Sequence, residues 1–178
     1  MRITEGPIPG LKIIENDIYK DSRGHFTELW RVNKEFPPFV QENLSVSSQN
    51  VLRGLHLQNP SGQGKLVVAL EGRVFDVAVD VRRGSPHFGK VACFDLSAEN
   101  YRQVYIPPGF AHGFYVLSQR ATFMYRCTDQ YNKDAELTIR WDDPALNIPW
   151  PAGPKVVSDR DQAAPLLKAV PFDRLPSL

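Results

Sequence analysis

The feature that most constrains this chain is a succession of short apolar runs with no helical period. KLVVAL (65–70), RVFDVAVDVR (73–82), GKVACFDL (89–96) and ATFMYRCT (121–128) are rich in β-branched and aromatic residues, which suit a pleated, half-buried surface. In RVFDVAVDV the polar Arg73, Asp76 and Asp80 interrupt the run without helical spacing. Turn-forming clusters separate the runs: NPSGQG (59–64), RRGSP (82–86) and PPG (107–109). Closely spaced strands with such punctuation predict an all-β sandwich or barrel. The early stretch RVNKEF, ending at Phe36 before Pro37, reads as a short helix, and a second short helix is expected around 159–168. Between them in character is DDPALNIPWPAGPKVV, Pro-rich and expected to be irregular. With no internal repeat or low-complexity segment, residues 1–178 read as one domain.

Composition narrows the function classes. The net charge is +1 and no basic block occurs, so nucleic acid is not an expected partner. There is no apolar run of about 18 residues to span a membrane. The N-terminus MRITEGPIPG lacks the apolar stretch of a signal peptide, and a cytoplasmic location is expected. Cys93 and Cys127 are read as buried thiols.

The chain has four histidines. His112 closes P-P-G-F-A-H, which matches the P-x-G-x-x-H element of cupin jelly rolls. A metal-binding cupin usually begins with His-x-His. Here that element reads His56-Leu57-Gln58, and an amide is a poor transition-metal ligand beside imidazole. No metal is expected.

Three blocks place polar groups among strand residues: DSRGHFTE (21–28), QENLSVSSQNVLRGLHLQ (41–58) and PPGFAHGF (107–114). In the second, Gln41, Asn43, Ser45 and Ser47 alternate and therefore share one face of a strand. That face meets either solvent or a polar cavity. Read alone, Tyr125 is a core aromatic with a satisfied hydroxyl, the usual fate of a strand tyrosine, and Asp161 a helix cap. Asp142 and Asp143 rival Asp161, although a turn before Pro144 accounts for them. Lys65 could be solvated, and Glu28, Glu136 and Arg160 could form surface ion pairs.

Taken together, the motifs DxRGxFxE, VQxNxSxSxxxVLRGLHxQ, QGKLV, GxVFDVAVDxRxxSPxFGK, LSAEN, IPxGFAHGF, RWDDP and a late SxxD resemble the dTDP-4-dehydrorhamnose 3,5-epimerase family from about Asp21 to Pro165. The resemblance implies an antiparallel jelly roll, or double-stranded β-helix, of the cupin type with short peripheral helices. It implies a cofactor-independent epimerase acting at C3 and C5 of dTDP-4-keto-6-deoxy-D-glucose. By the same resemblance His56 and Asp161 form the general-base dyad, Tyr125 is the acid and Lys65 lies beside the sugar ketone. Arg23, Phe26, Glu28, Gln41, Asn43, Arg53, His112, Glu136 and Arg160 match substrate-contacting positions, and Tyr131 matches an aromatic that stacks on the base. A homodimer is implied, with the 21–28 segment reaching the partner's site.

These residue types suit the chemistry. Hydrogens at C3 and C5 flank the ketone, so removing one gives an enolate. Histidine exchanges protons near neutral pH. A tyrosine across the ring can return the proton to the opposite face, and a lysine can stabilise the oxyanion. Arginines suit a diphosphate. The sequence departs from the pattern at Leu44, Val46, Gln130 and Arg160, which bears on substrate detail. The alternatives are an epimerase acting at C3 or C5 only, and a sugar-nucleotide binding module without catalysis.

Overall fold

The computed structural model describes residues 1–178. Four short strands come first: β1 (Arg2–Glu5), β2 (Lys12–Glu15), β3 (Ile18–Asp21) and β4 (Gly24–Thr27). Then follow β5 (Gln41–Ser48), β6 (Leu52–Gln58), β7 (Lys65–Glu71), β8 (Arg73–Asp80) and β9 (Val91–Ser97). The last strands are β10 (Gln103–Ile106), β11 (Phe110–Val116), β12 (Arg120–Cys127) and β13 (Glu136–Thr138). One helix, α1 (Asp159–Gln162), and three single 3-10 turns complete the chain. The four apolar runs are β7, β8, β9 and β12, each within two residues of its expected ends.

A six-stranded sheet, ordered β1-β2-β10-β7-β12-β5, faces a five-stranded sheet, ordered β13-β6-β11-β8-β9. Every strand pair is antiparallel. This is the expected jelly-roll architecture. Hairpin β3–β4 stands apart as its own two-stranded sheet. No helix is long and apolar enough to cross a membrane.

The main core lies between the sheets. Val67, Val104 and Phe123 from one meet Val74, Ala78, Phe94 and Phe114 from the other. Phe123 is fully buried, which contributes about 1.5–3 kcal/mol, and stacks on Phe114 with centroids 4.3 Å apart. A second cluster covers the outer face of the five-stranded sheet: Val77 and Val79 of β8 pack with Leu146, Leu167 and Leu175 from the C-terminal stretch. Strand β8 is thus buried on both faces, which explains its near-continuous apolar run.

The expected helix at RVNKEF is absent; residues 34–36 form a turn. Phe36 instead packs edge-on against Tyr105, 5.2 Å between centroids, on the outer face of the six-stranded sheet. Pro37 disfavours helical geometry at Phe36, and burial of Phe36 and Trp30 with Phe39 outweighs any local preference. At the other end, the expected 159–168 helix is only one turn of α-helix, followed after Pro165 by a 3-10 turn at Leu167–Ala169. Both cysteines are free, and burial pushes the Cys93 thiol up to about 11.

Candidate active site

The alternating face of β5 resolves towards a cavity. Gln41, Asn43, Ser45 and Ser47 are sheltered, whereas Glu42, Leu44, Val46 and Ser48 face outward. A cavity of about 470 Å³ opens beside this face, and His56, Lys65, His112, Tyr125, Arg53, Arg160 and Asp161 all line it. A smaller recess of about 90 Å³ shares His56, Lys65 and Tyr125 with it and adds Gln41, Asn43, Tyr131 and Glu136.

His56 reaches this space because β6 and β11 approach unusually closely. A Cβ on Gly54 would lie 2.6 Å from Gly113 Cα, and one on Gly113 would lie 2.7 Å from the Arg53 carbonyl oxygen. Gly54 also has φ of +132°, where a side chain is strained. The β6–β11 register shifts beside this contact, with His56 opposite His112. Across the gap, His56 Nε2 meets Asp161 Oδ1 at 2.7 Å, and the Gly54 N–H donates to Asp161 Oδ2 at 3.2 Å.

Asp161 is not a cap. Ser158 is the N-cap of α1, its hydroxyl oxygen accepting from the Asp161 N–H at 3.2 Å. That places Asp161 in the first turn with its side chain free to reach back to His56. Burial opposes ionisation of Asp161, but the bond to His56, its charge and the donors Gly54 and Ser158 outweigh it, so the carboxyl lies below its ordinary value. The rivals are engaged elsewhere: Asp143 accepts from the N–H groups of Ala145 and Leu167, and Asp142 pairs with Arg140.

Burial lowers the Lys65 ammonium from its ordinary value, with Cys127, Glu136 and Asp76 offsetting part of the effect. Its Nζ donates to the His56 carbonyl at 3.3 Å. Burial raises the Tyr125 phenol, aided by Cys127 and Glu136 and opposed by Arg53 and Asn43. Tyr125 therefore holds its proton to higher pH than an exposed tyrosine. Arg53 Nε donates to the Ser47 hydroxyl at 3.1 Å.

Glu136 pairs with Arg160 at 2.7 Å and accepts from the Tyr131 hydroxyl at 2.6 Å. The ion-pair reading and the site reading of these residues thus coincide at the rim. Gln58, in the place of a second histidine, uses its amide on the carbonyls of Ser61 and Gln130 and the N–H of Asn132. It fastens two loops.

Arg23, Phe26 and Glu28 do not join the group. They lie on or beside the β3–β4 hairpin, with the Arg23 side chain 88% exposed and bonded to Asp21. Phe26 is 68% exposed, and Glu28 pairs with Arg31. Two participants had no role in the site assigned from the sequence. Ser158 is the start of the SxxD motif and its capping role was legible there. Asp76 binds His112 Nε2 at 2.7 Å, and its only sequence signal was a charge on the inward parity of β8.

The arrangement offers a proton acceptor, a proton donor and a cation around one cavity, as proton transfer beside a carbonyl requires. The family model for dTDP-4-dehydrorhamnose 3,5-epimerase matches residues 5–169. The dTDP-4-dehydrorhamnose 3,5-epimerase of Neisseria gonorrhoeae is 48% identical over 172 residues, covering 94% of this chain and 50% of that protein. The chain therefore spans half the length of that relative. Among solved structures, the dTDP-6-deoxy-D-glucose-3,5-epimerase of Legionella pneumophila Philadelphia 1, in complex with dTDP-4-keto-L-rhamnose, has a TM-score of 0.96 and 48% identity, covering 99% of this chain and 98% of that one. A 3'-monoepimerase from Streptomyces bikiniensis, in complex with dTDP-quinovose, has a TM-score of 0.90 and 36% identity, covering 96% and 91%.

Proposed function

The chain belongs to the dTDP-4-dehydrorhamnose 3,5-epimerase family, and from that premise we propose that it inverts C3 and C5 of dTDP-4-keto-6-deoxy-D-glucose, giving dTDP-4-keto-L-rhamnose. The observation that carries the mechanism is the 2.7 Å His56–Asp161 pair sharing a cavity with Lys65 and Tyr125.

With Nε2 engaged by Asp161, Nδ1 of His56 is the nitrogen left to take a proton. It removes the hydrogen next to the ketone, and the C–H electron pair moves through the carbon–carbon bond onto the carbonyl oxygen. Lys65 stabilises that oxyanion, a term worth several kcal/mol in a water-poor site. Tyr125 then gives its proton to the same carbon from the other face as the carbonyl re-forms. Proton exchange between His56, Tyr125 and solvent restores the starting state. The steps need no redox partner. Asp161 orients the imidazole and stabilises its protonated form. Arg53 serves the diphosphate, and Gln41, Asn43 and Tyr131 the nucleoside end.

The enzyme acts as a homodimer in which the β3–β4 hairpin brings Arg23, Phe26 and Glu28 to the cavity of the second copy. Their exposure and their absence from the lining of the His56 cavity support this reading. Co-expressing a His56→Ala copy with an Arg23→Ala copy tests it. One site of the mixed dimer would hold both native residues, so activity above that of either variant is expected, and none would overturn the shared site.

NMR of the sugar in deuterated solvent tests the chemistry. Label at both C3 and C5, lost in His56→Ala, is expected. Label at one carbon favours the second reading, a single-position epimerase, which the likeness to the 3'-monoepimerase keeps in view. Tight binding of the nucleotide sugar with no label identifies a binding module.

A further inference from the structure

Asp76 is 0% exposed, stands among the apolar residues between the sheets, and takes no step in the chemistry above, although its charge bears on Lys65. Strand parity explains its direction. Val74, Asp76 and Ala78 share the inward face of β8, and on β11 His112 stands opposite Ala78 and Phe114 opposite Asp76. His112 and Asp76 are thus diagonal neighbours on one face, and His112 Nε2 meets Asp76 Oδ2 at 2.7 Å.

The other buried aspartates near this sheet are well satisfied. Asp80 accepts from the Arg82 backbone, the Arg82 guanidinium and the Ser85 hydroxyl. Asp161 has His56 and the Gly54 N–H. Asp76 has His112 alone, and its Oδ1 has no partner. A buried carboxyl group with one empty oxygen destabilises a fold, and an apolar side chain of similar volume often serves stability better. What Asp76 supplies is orientation. The His112 ring stacks on Phe123, 6.2 Å between centroids and 16° from parallel. Its Nε2 is tied to Asp76, so Nδ1 is the one ring nitrogen able to meet a ligand in the cavity that His112 lines.

We propose that Asp76 is a positioning residue, which selects the nitrogen that His112 presents to the sugar and does so at a cost in stability. The inference rests on the epimerase reading for the identity of the ligand, but not for the state of the ring.

The near-isosteric Asp76→Asn tests it, because an amide can donate to Nε2 as well as accept from it and so releases the tautomer. The rate of deuterium exchange is expected to fall roughly 10- to 100-fold, the loss seen when the partner orienting a metal-bound histidine is removed. Tm should stay level or rise. In a His112→Gln background the same substitution should change the rate by less than about twofold, since coupled residues are not additive. In the ligand-free protein, nitrogen-15 NMR should show His112 protonated at Nε2 in the wild type and a mixture of tautomers in Asp76→Asn. An unchanged exchange rate, additive losses in the double variant, an unaltered His112 tautomer, or failure of Asp76→Asn to fold would each overturn the proposal. If the wild type exchanges no hydrogen at all, the epimerase reading fails instead, and the tautomer measurement still decides the role of Asp76.

Discussion

His56 and His112 are register partners on β6 and β11, and each meets an aspartate at 2.7 Å, but the two carboxyl groups come from different parts of the fold. Asp76 lies on the strand next to His112, and both side chains are closed in, at 0% and 8% exposure. Asp161 lies 105 residues from His56, on a single helical turn, and the imidazole it holds is 31% exposed to the cavity. The difference separates two tasks. A pair inside the sheet cannot change its geometry without disturbing the core. A pair at the cavity wall can take up and release a proton, because its carboxyl group also has the Gly54 N–H and the Ser158 cap to steady it.

The largest expected effect tests whether the two pairs divide the work in this way. His56→Ala should reduce hydrogen exchange at both carbons by about 10²–10⁴, the usual contribution of a general base, while His112→Gln keeps exchange measurable. Deuterium incorporation by NMR reads both. If His56→Ala retained exchange at one carbon and His112→Gln lost it there, the interior pair would be a second base and the contrast would collapse.

The pH dependence gives the next effect. Burial lowers Lys65 and raises Tyr125, which moves the loss of the lysine's charge down in pH and the loss of the tyrosine's proton up. The alkaline limb of kcat should therefore follow Lys65. Lys65→Arg, with a guanidinium that stays protonated, should be slower but lose that limb, whereas a limb unmoved in Lys65→Arg would assign it to Tyr125. Asp161 behaves oppositely. Its folded value is depressed, so the pair stabilises the fold above the unfolded value of about 3.9 and loses that contribution as pH falls through the folded one. Urea titrations at pH 7 and near pH 3 should show a smaller acid loss for Asp161→Asn than for the wild type.

The same contrast explains what could be read before the fold was known. Strands β7, β8, β9 and β12 were legible because their residues suit a buried sheet wherever it lies. The alternation in β5 identified a polar face, but not that it met a cavity rather than solvent, which depends on β12 and β7 packing beside it. His56, Lys65, Tyr125 and Asp161 came from motifs, and their convergence came only from the sheet order. Asp76 stood in plain sight within RVFDVAVDV. Its partner is set by a cross-strand diagonal between β8 and β11, and no local pattern encodes that pairing. RVNKEF misled because the pull of Tyr105 on Phe36 is non-local.

The smallest expected effect is also the most selective. Ser158 is bonded to Asp161, whereas the His112 side chain is bonded to Asp76. Ser158→Ala removes an N-cap, which costs about 1 kcal/mol in a typical helix. Here α1 is one turn long, so the loss falls on the orientation of Asp161 rather than on a helix that stands by itself. The turn is also tied down by the bond from the Gln162 N–H to the Ser158 carbonyl, which alanine keeps. Exchange at C3 and C5 should fall severalfold, with a Tm change of a few degrees at most, and Ser158→Thr should restore both. Nitrogen-15 signals of His56 should move while those of His112 stay in place. If both histidines respond together, the two pairs are mechanically coupled through β6 and β11, and the division between a wall pair and an interior pair has to be replaced by a single unit of four residues.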